Sequence, residues 1–157
     1  MANTTKKEIN AEETVETKEA VNILDLLLGS DIGEIKLPTK QMEIVRLSEL
    51  YGAPFVITVS ALSPDKYEEV QDMAVSIKGK DADIEITLLQ LLVVMEGVVD
   101  PSGKPMFKNK ELMQKFKAST PKELIRKLLL SGEIANIYAE ISSLSGFGDG
   151  SVKEVKN

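Results

Sequence analysis

Apolar positions recur at helical spacing through much of the chain. The first run is Val21, Ile23, Leu24, Leu26, Leu27 and Leu28, which predicts a short helix from Ala20 that Gly29 can close. Ile32–Leu37 alternates enough to predict a strand stopped by Pro38. Glu43–Leu50 is ambiguous between strand and helix. Phe55–Ala61 is rich in β-branched residues and alternates clearly, so it predicts a strand, and Gly52-Ala53-Pro54 before it suits a hairpin with the preceding segment. A small antiparallel sheet follows from these segments.

The second half of the pattern is helical. Ser63-Pro64 supplies a cap and a first-turn proline, Asp65 favours the positive end of the helix dipole, and Tyr67, Val70, Ala74 and Ile77 mark one face. Lys78–Asp83 reads as a polar loop. Ile84–Val99 is apolar nearly all round, so it is either the central buried helix or a buried strand, and its length favours the helix. Asp100-Pro101-Ser102-Gly103 has the residue types of a turn, and a short helix is expected over Lys108–Phe116.

Two helices close the pattern. Thr120 can cap Glu123 while the Glu123 side chain reaches back to Thr120, and Pro121 fits the first helical position. Leu124, Ile125, Leu128 and Leu129 form its stripe, with Gly132 as the expected stop. A second helix from Glu133 carries Ile134, Ile137, Tyr138, Ile141 and Leu144, ended by Ser145-Gly146. These predict a C-terminal helical hairpin. The fold class is α+β, mainly α: a small antiparallel sheet in the N-terminal half, then a helical bundle. Residues 1–19 are expected to be a flexible charged tail, 20–147 a single domain, and 148–157 a second flexible tail.

Composition narrows the chemistry. The 157 residues fit one domain, and neither Cys nor His is present. Thiol catalysis, disulfides, imidazole bases and Cys or His zinc sites are therefore excluded. A formal charge of -6 opposes nucleic-acid binding, and no apolar run approaches the roughly 20 residues that span a bilayer. No apolar segment for a signal peptide stands at the N-terminus, so a cytosolic location is expected.

Motifs that suggest chemistry fail on inspection. GVVDPSGK, Gly97–Lys104, has five residues between its glycines where a P-loop needs four, and Pro105 replaces the metal-binding hydroxyl. GFGDG, Gly146–Gly150, follows a helix instead of a strand. Asp81, Asp83 and Glu85 lack the glycine and the final acid of a calcium loop. Neighbouring acids such as Glu68 and Glu69 do not face each other on a helix. Thr120–Phe147, two amphipathic helices without a group suited to catalysis at neutral pH, therefore points to a surface for another protein. Candidate contacts are Leu24, Leu27 and Leu28 on the first helix and Ile137, Tyr138, Ile141 and Leu144 on the last; each stripe can equally serve its own core.

EGVVDP at Glu96–Pro101, the NKELMQKF helix, TPKELIRKLLLSGEI and the closing LSGF, in this order and spacing, resemble the XkdN-like tail assembly chaperones of contractile-tailed phages and phage-like elements of Gram-positive bacteria. The resemblance runs from about Gly33 to Phe147. Ser131 stands where family members often carry Pro before the glycine of GEI, and the charged N-terminus is outside the pattern.

The resemblance implies a non-enzymatic protein, without cofactor or metal. It implies a protein that binds the tape measure protein, keeps it soluble and helps the tail tube protein polymerise around it. Its expected place is the bacterial host cytoplasm, absent from the mature particle. Self-association through the same helices is a further use of them. The competing class is a structural or adapter protein retained in the tail or baseplate.

Overall fold

The computed structural model describes residues 21–78 and 81–156. The expected N-terminal tail, residues 1–19, lies outside them. The chain divides into two units, one ending at Lys36 and the other beginning at Leu37.

The described part of the first unit contains helix α1, Ile23–Gly29. Asn22 starts it by accepting the backbone N–H groups of Leu24 and Asp25 on its side-chain oxygen, at 2.9 and 3.4 Å. This satisfies two of the donors that a helix start leaves open. Ile32–Leu37 forms no strand. Its alternation is that of an exposed segment, for Ile32, Ile35 and Leu37 are all exposed and no strand pairs with them.

In the second unit, β1 (Thr39–Glu43) pairs antiparallel with β2 (Val56–Ser60), Gln41 standing opposite Thr58. The two strands pair as the sequence suggested, but their connection includes a helix, α2 (Val45–Tyr51), which Gly52 at φ 67° ends in the left-handed region. The ambiguous Glu43–Leu50 segment is thus mostly helix. α3 (Pro64–Ala74) begins as its residues predict, with Ser63 Oγ accepting the Lys66 N–H at 3.2 Å. It ends early. Val75–Lys78 (β3) turns back on Asp81–Ile84 (β4) as a separate antiparallel pair, so the expected loop is in part a hairpin and Ile77 belongs to a strand.

α4 (Ile86–Gly97) is the core helix: Leu89, Leu91, Leu92, Val93, Val94 and Met95 are all buried. It runs directly into β5 (Val98–Val99), the third strand of the sheet, whose order is β1-β2-β5. α3 packs on one side of α4, and α6 and α7 pack on others. Gly97 marks the closest approach: a Cβ built there would lie 2.5 Å from Ile141 Cδ1. Asp100 then turns the chain by accepting from Ser102 N–H, Ser102 Oγ–H and Lys104 N–H, and Gly103 closes the turn at φ 85°. A short 3₁₀ turn (Met106–Lys108) and α5 (Lys110–Lys115) follow, capped by Asn109.

α6 (Pro121–Leu128) starts with the Glu123 N–H on Thr120 Oγ1 at 3.1 Å. The return contact differs from the expected one: the Glu123 carboxylate accepts the Ser119 N–H. Gly132 does not end this helix. α7 (Ser131–Ser142) has already begun there, because Glu133 Oε1 accepts the Leu130 N–H at 2.7 Å and fixes Leu130 as the cap position. A π-turn over Ser143–Phe147, with Gly146 at φ 93°, finishes the helix as Ser145-Gly146 predicted. The fold is mainly α with a small antiparallel sheet, as expected.

Candidate partner-binding surfaces

The seven candidate contacts fall into three environments. Leu24, Leu27 and Leu28 are exposed on α1, as are Ile23 and Leu26, at 57–76 % of their full surface. Ile137 and Ile141 are buried against α4. Their stripe faces inward because α7 closes the core, so no partner can reach these two without opening the fold. Tyr138 and Leu144 are half-buried at the core margin.

Two grooves in the second unit offer concave apolar surface. The larger, about 1040 Å³, lies between the outer face of the sheet and α5, with Tyr51, Val56, Thr58, Met106, Leu112 and Phe116 in its walls. These residues come from four separate elements, so no local sequence pattern announces the groove. β2 contributes because its alternation buries Ile57 and Val59 while turning Val56 and Thr58 outward. The smaller, about 510 Å³, is walled by Leu62, Tyr67, Leu144 and Phe147. Leu144 is the only sequence-predicted contact lining it. The Phe147 ring packs on Tyr67 with centroids 4.8 Å apart, an attractive tilted arrangement. Burial, then the neighbouring Tyr138 hydroxyl, pushes the Tyr67 phenol up to about 12.

The polar groups around these surfaces are engaged in holding the fold. Arg46 donates through Nε and Nη2 to the two Glu133 oxygens at 3.0 and 2.8 Å, and through Nη2 to the Leu128 carbonyl. One side chain thereby ties α2 to the end of α6 and the start of α7. The Arg46 guanidinium holds the Glu133 carboxyl below its ordinary range, with the Leu130 N–H adding to the effect. The Ser119 N–H does the same for Glu123, and Ser102 for Asp100. Lys127 donates to the carbonyls of Phe116 and Lys117, closing the end of α5 where Lys117 sits at φ 55°. Each shifted acid is explained by a cap, a turn or an ion pair. Among the described residues no group of acids is arranged to hold a metal, and no helix is long and apolar enough to cross a membrane.

A sequence model of the phage XkdN-like tail assembly chaperone protein family matches residues 24–157. That span is wider at both ends than the stretch from Gly33 to Phe147 on which the motifs were read. The crystal structure of the protein YqbN is similar in fold, with a TM-score of 0.56 and 21% identity, covering 76% of this chain and 93% of that one. No curated protein matches the sequence.

Proposed function

The chain belongs to the XkdN-like phage tail assembly chaperones, and from that membership we propose that it binds the tape measure protein, keeps it soluble and assists tail tube assembly around it, without catalysis. One observation carries the proposal. α1 presents five large aliphatic side chains to solvent, Ile23, Leu24, Leu26, Leu27 and Leu28, a concentration of exposed apolar surface that a soluble protein ordinarily keeps for an interface. A long helical client with apolar faces is a partner such a helix can cover, in the manner of helix-in-groove recognition. Tyr138 and Leu144 are secondary contacts in this reading. Ile137 and Ile141 support them from below.

The formal charge of -6 fits the same role. Several acidic copies along one client add mutual repulsion between coated clients, which disfavours aggregation. The work is done in the bacterial host cytoplasm, and the protein leaves before the particle is complete.

Co-expression with the tape measure protein encoded nearby, followed by pull-down and mass spectrometry of purified particles, tests this. The expected result is a soluble, co-purifying tape measure and particles depleted of this chain. Retention at fixed copy number would instead make it a structural or adapter component of the tail or baseplate.

A further inference from the structure

We propose that α1 seats in an apolar groove walled by two helices of its client and rimmed with basic side chains, instead of lying on a single face. The inference rests on the client-binding reading above and specifies what the client must present. It follows from the distribution of side chains around α1 and from the charge of the segment that contains it.

At about 100° per residue, Leu26, Ile23, Leu27, Leu24 and Leu28 follow one another around the helix over an arc of about 200°. Asp25 and Gly29 occupy the remainder. A helix packing on one flat neighbour needs an apolar stripe only a little over about 100° wide. On such a surface Leu26 and Leu28, at opposite ends of the arc, cannot both be covered. Both are exposed in this structure, Leu28 most of all at 76 %. Covering the full arc takes a wall on each side, which two neighbouring helices provide. α1 also has only seven residues, too few for a helix to be stable in water through its own hydrogen bonds, so a surrounding groove would hold it as well as bind it.

Charge selects the rim. Among the described residues of this unit, Asp25, Asp31 and Glu34 are exposed, against Lys36 alone. A basic border on the client complements them, whereas a second copy of this chain would add its own three acids to the interface. That favours the client over self-association as the occupant.

The test uses the full chain and immobilised helical fragments of the tape measure protein, with Kd measured at two salt concentrations. Leu26→Glu and Leu28→Glu are each expected to raise Kd at least tenfold. The double change Asp31→Lys with Glu34→Lys should also raise Kd at least tenfold and weaken the loss of binding with added salt. All are expected to keep the thermal midpoint, since no residue of α1 is buried and Asp31 and Glu34 are exposed.

If only one of Leu26→Glu and Leu28→Glu matters, contact is one-sided and the groove is wrong. Stronger binding on charge reversal would overturn the basic rim. Client-free oligomers that the leucine variants dissolve would assign the helix to a second copy. Unchanged capture by every variant would remove α1 from the interface while leaving client binding intact; no capture by the natural protein would sink both readings.

Discussion

Helices α1 and α4 have similar sequences and opposite fates. ILDLLLG interrupts its aliphatic run once, with Asp25, and exposes all of it; ITLLQLLVVMEG has Thr87, Gln90 and Glu96 and buries nearly everything between them. Hydrophobicity alone does not say what a helix packs against. α4 has twelve residues, a sheet strand continuing from its end, and helices α3, α6 and α7 around it. α1 has seven residues and a single capping asparagine. The same kind of side chain is therefore buried in the core in one helix and left exposed to solvent in the other.

The largest expected effect is a stability contrast. Leu92→Ala, at 1 % exposure, should lower unfolding free energy by about 2–5 kcal/mol, whereas Leu27→Ala should stay within about 0.5 kcal/mol. Urea denaturation of both variants measures this, and equal losses would break the distinction between the helices. Gly97→Ala should cost about 1–3 kcal/mol, because the added methyl meets Ile141 inside a filled core. Ile141→Val should recover part of that loss in the double variant, which a cavity-free clash predicts and a pure helix-propensity effect does not.

A smaller effect depends on pH. The Glu133 carboxyl is lowered by Arg46, so its contribution is complete above the unfolded carboxylate value of about 4.3 and disappears as pH falls through the lower folded value. Thermal midpoints of the natural chain and Glu133→Gln should differ near neutrality and converge in acid; a constant gap would point to packing instead. The smallest effect runs the other way. Lys117→Gly should stabilise by about 0.5–1 kcal/mol, since a side chain at φ 55° carries strain that glycine lacks.

Much of the fold was legible where a short-range chemical rule decides the outcome. Ser63-Pro64 and Thr120-Pro121 started helices because cap and first turn are local. α4 was legible from the length of its apolar run. Pairing was less visible: Ile32–Leu37 alternates but meets no partner strand, while Thr39–Glu43, with a weaker pattern, pairs with β2. Gly132 looked like a stop, yet Glu133 reaching back to the Leu130 N–H set the helix start two residues before Glu133 itself.

The candidate surface was legible in the same uneven way. The α1 leucines were singled out by their run and stand exposed, but periodicity could not separate the inward Ile137 and Ile141 from the marginal Tyr138 and Leu144. Depth depends on what α7 lies against. The groove beside α5 was invisible for the same reason, being assembled from residues far apart in the chain.

The join between the chain's middle and its end has a consequence for synthesis. Ile141 fills the notch at Gly97, and Ser145 Oγ accepts the Leu62 N–H while donating to the Ile141 carbonyl. A nascent chain on the ribosome makes α4 before α7, and until α7 emerges the most apolar helix of the core has an open side. The order of translation thus leaves this protein, for a short interval, with an uncovered hydrophobic helix of its own.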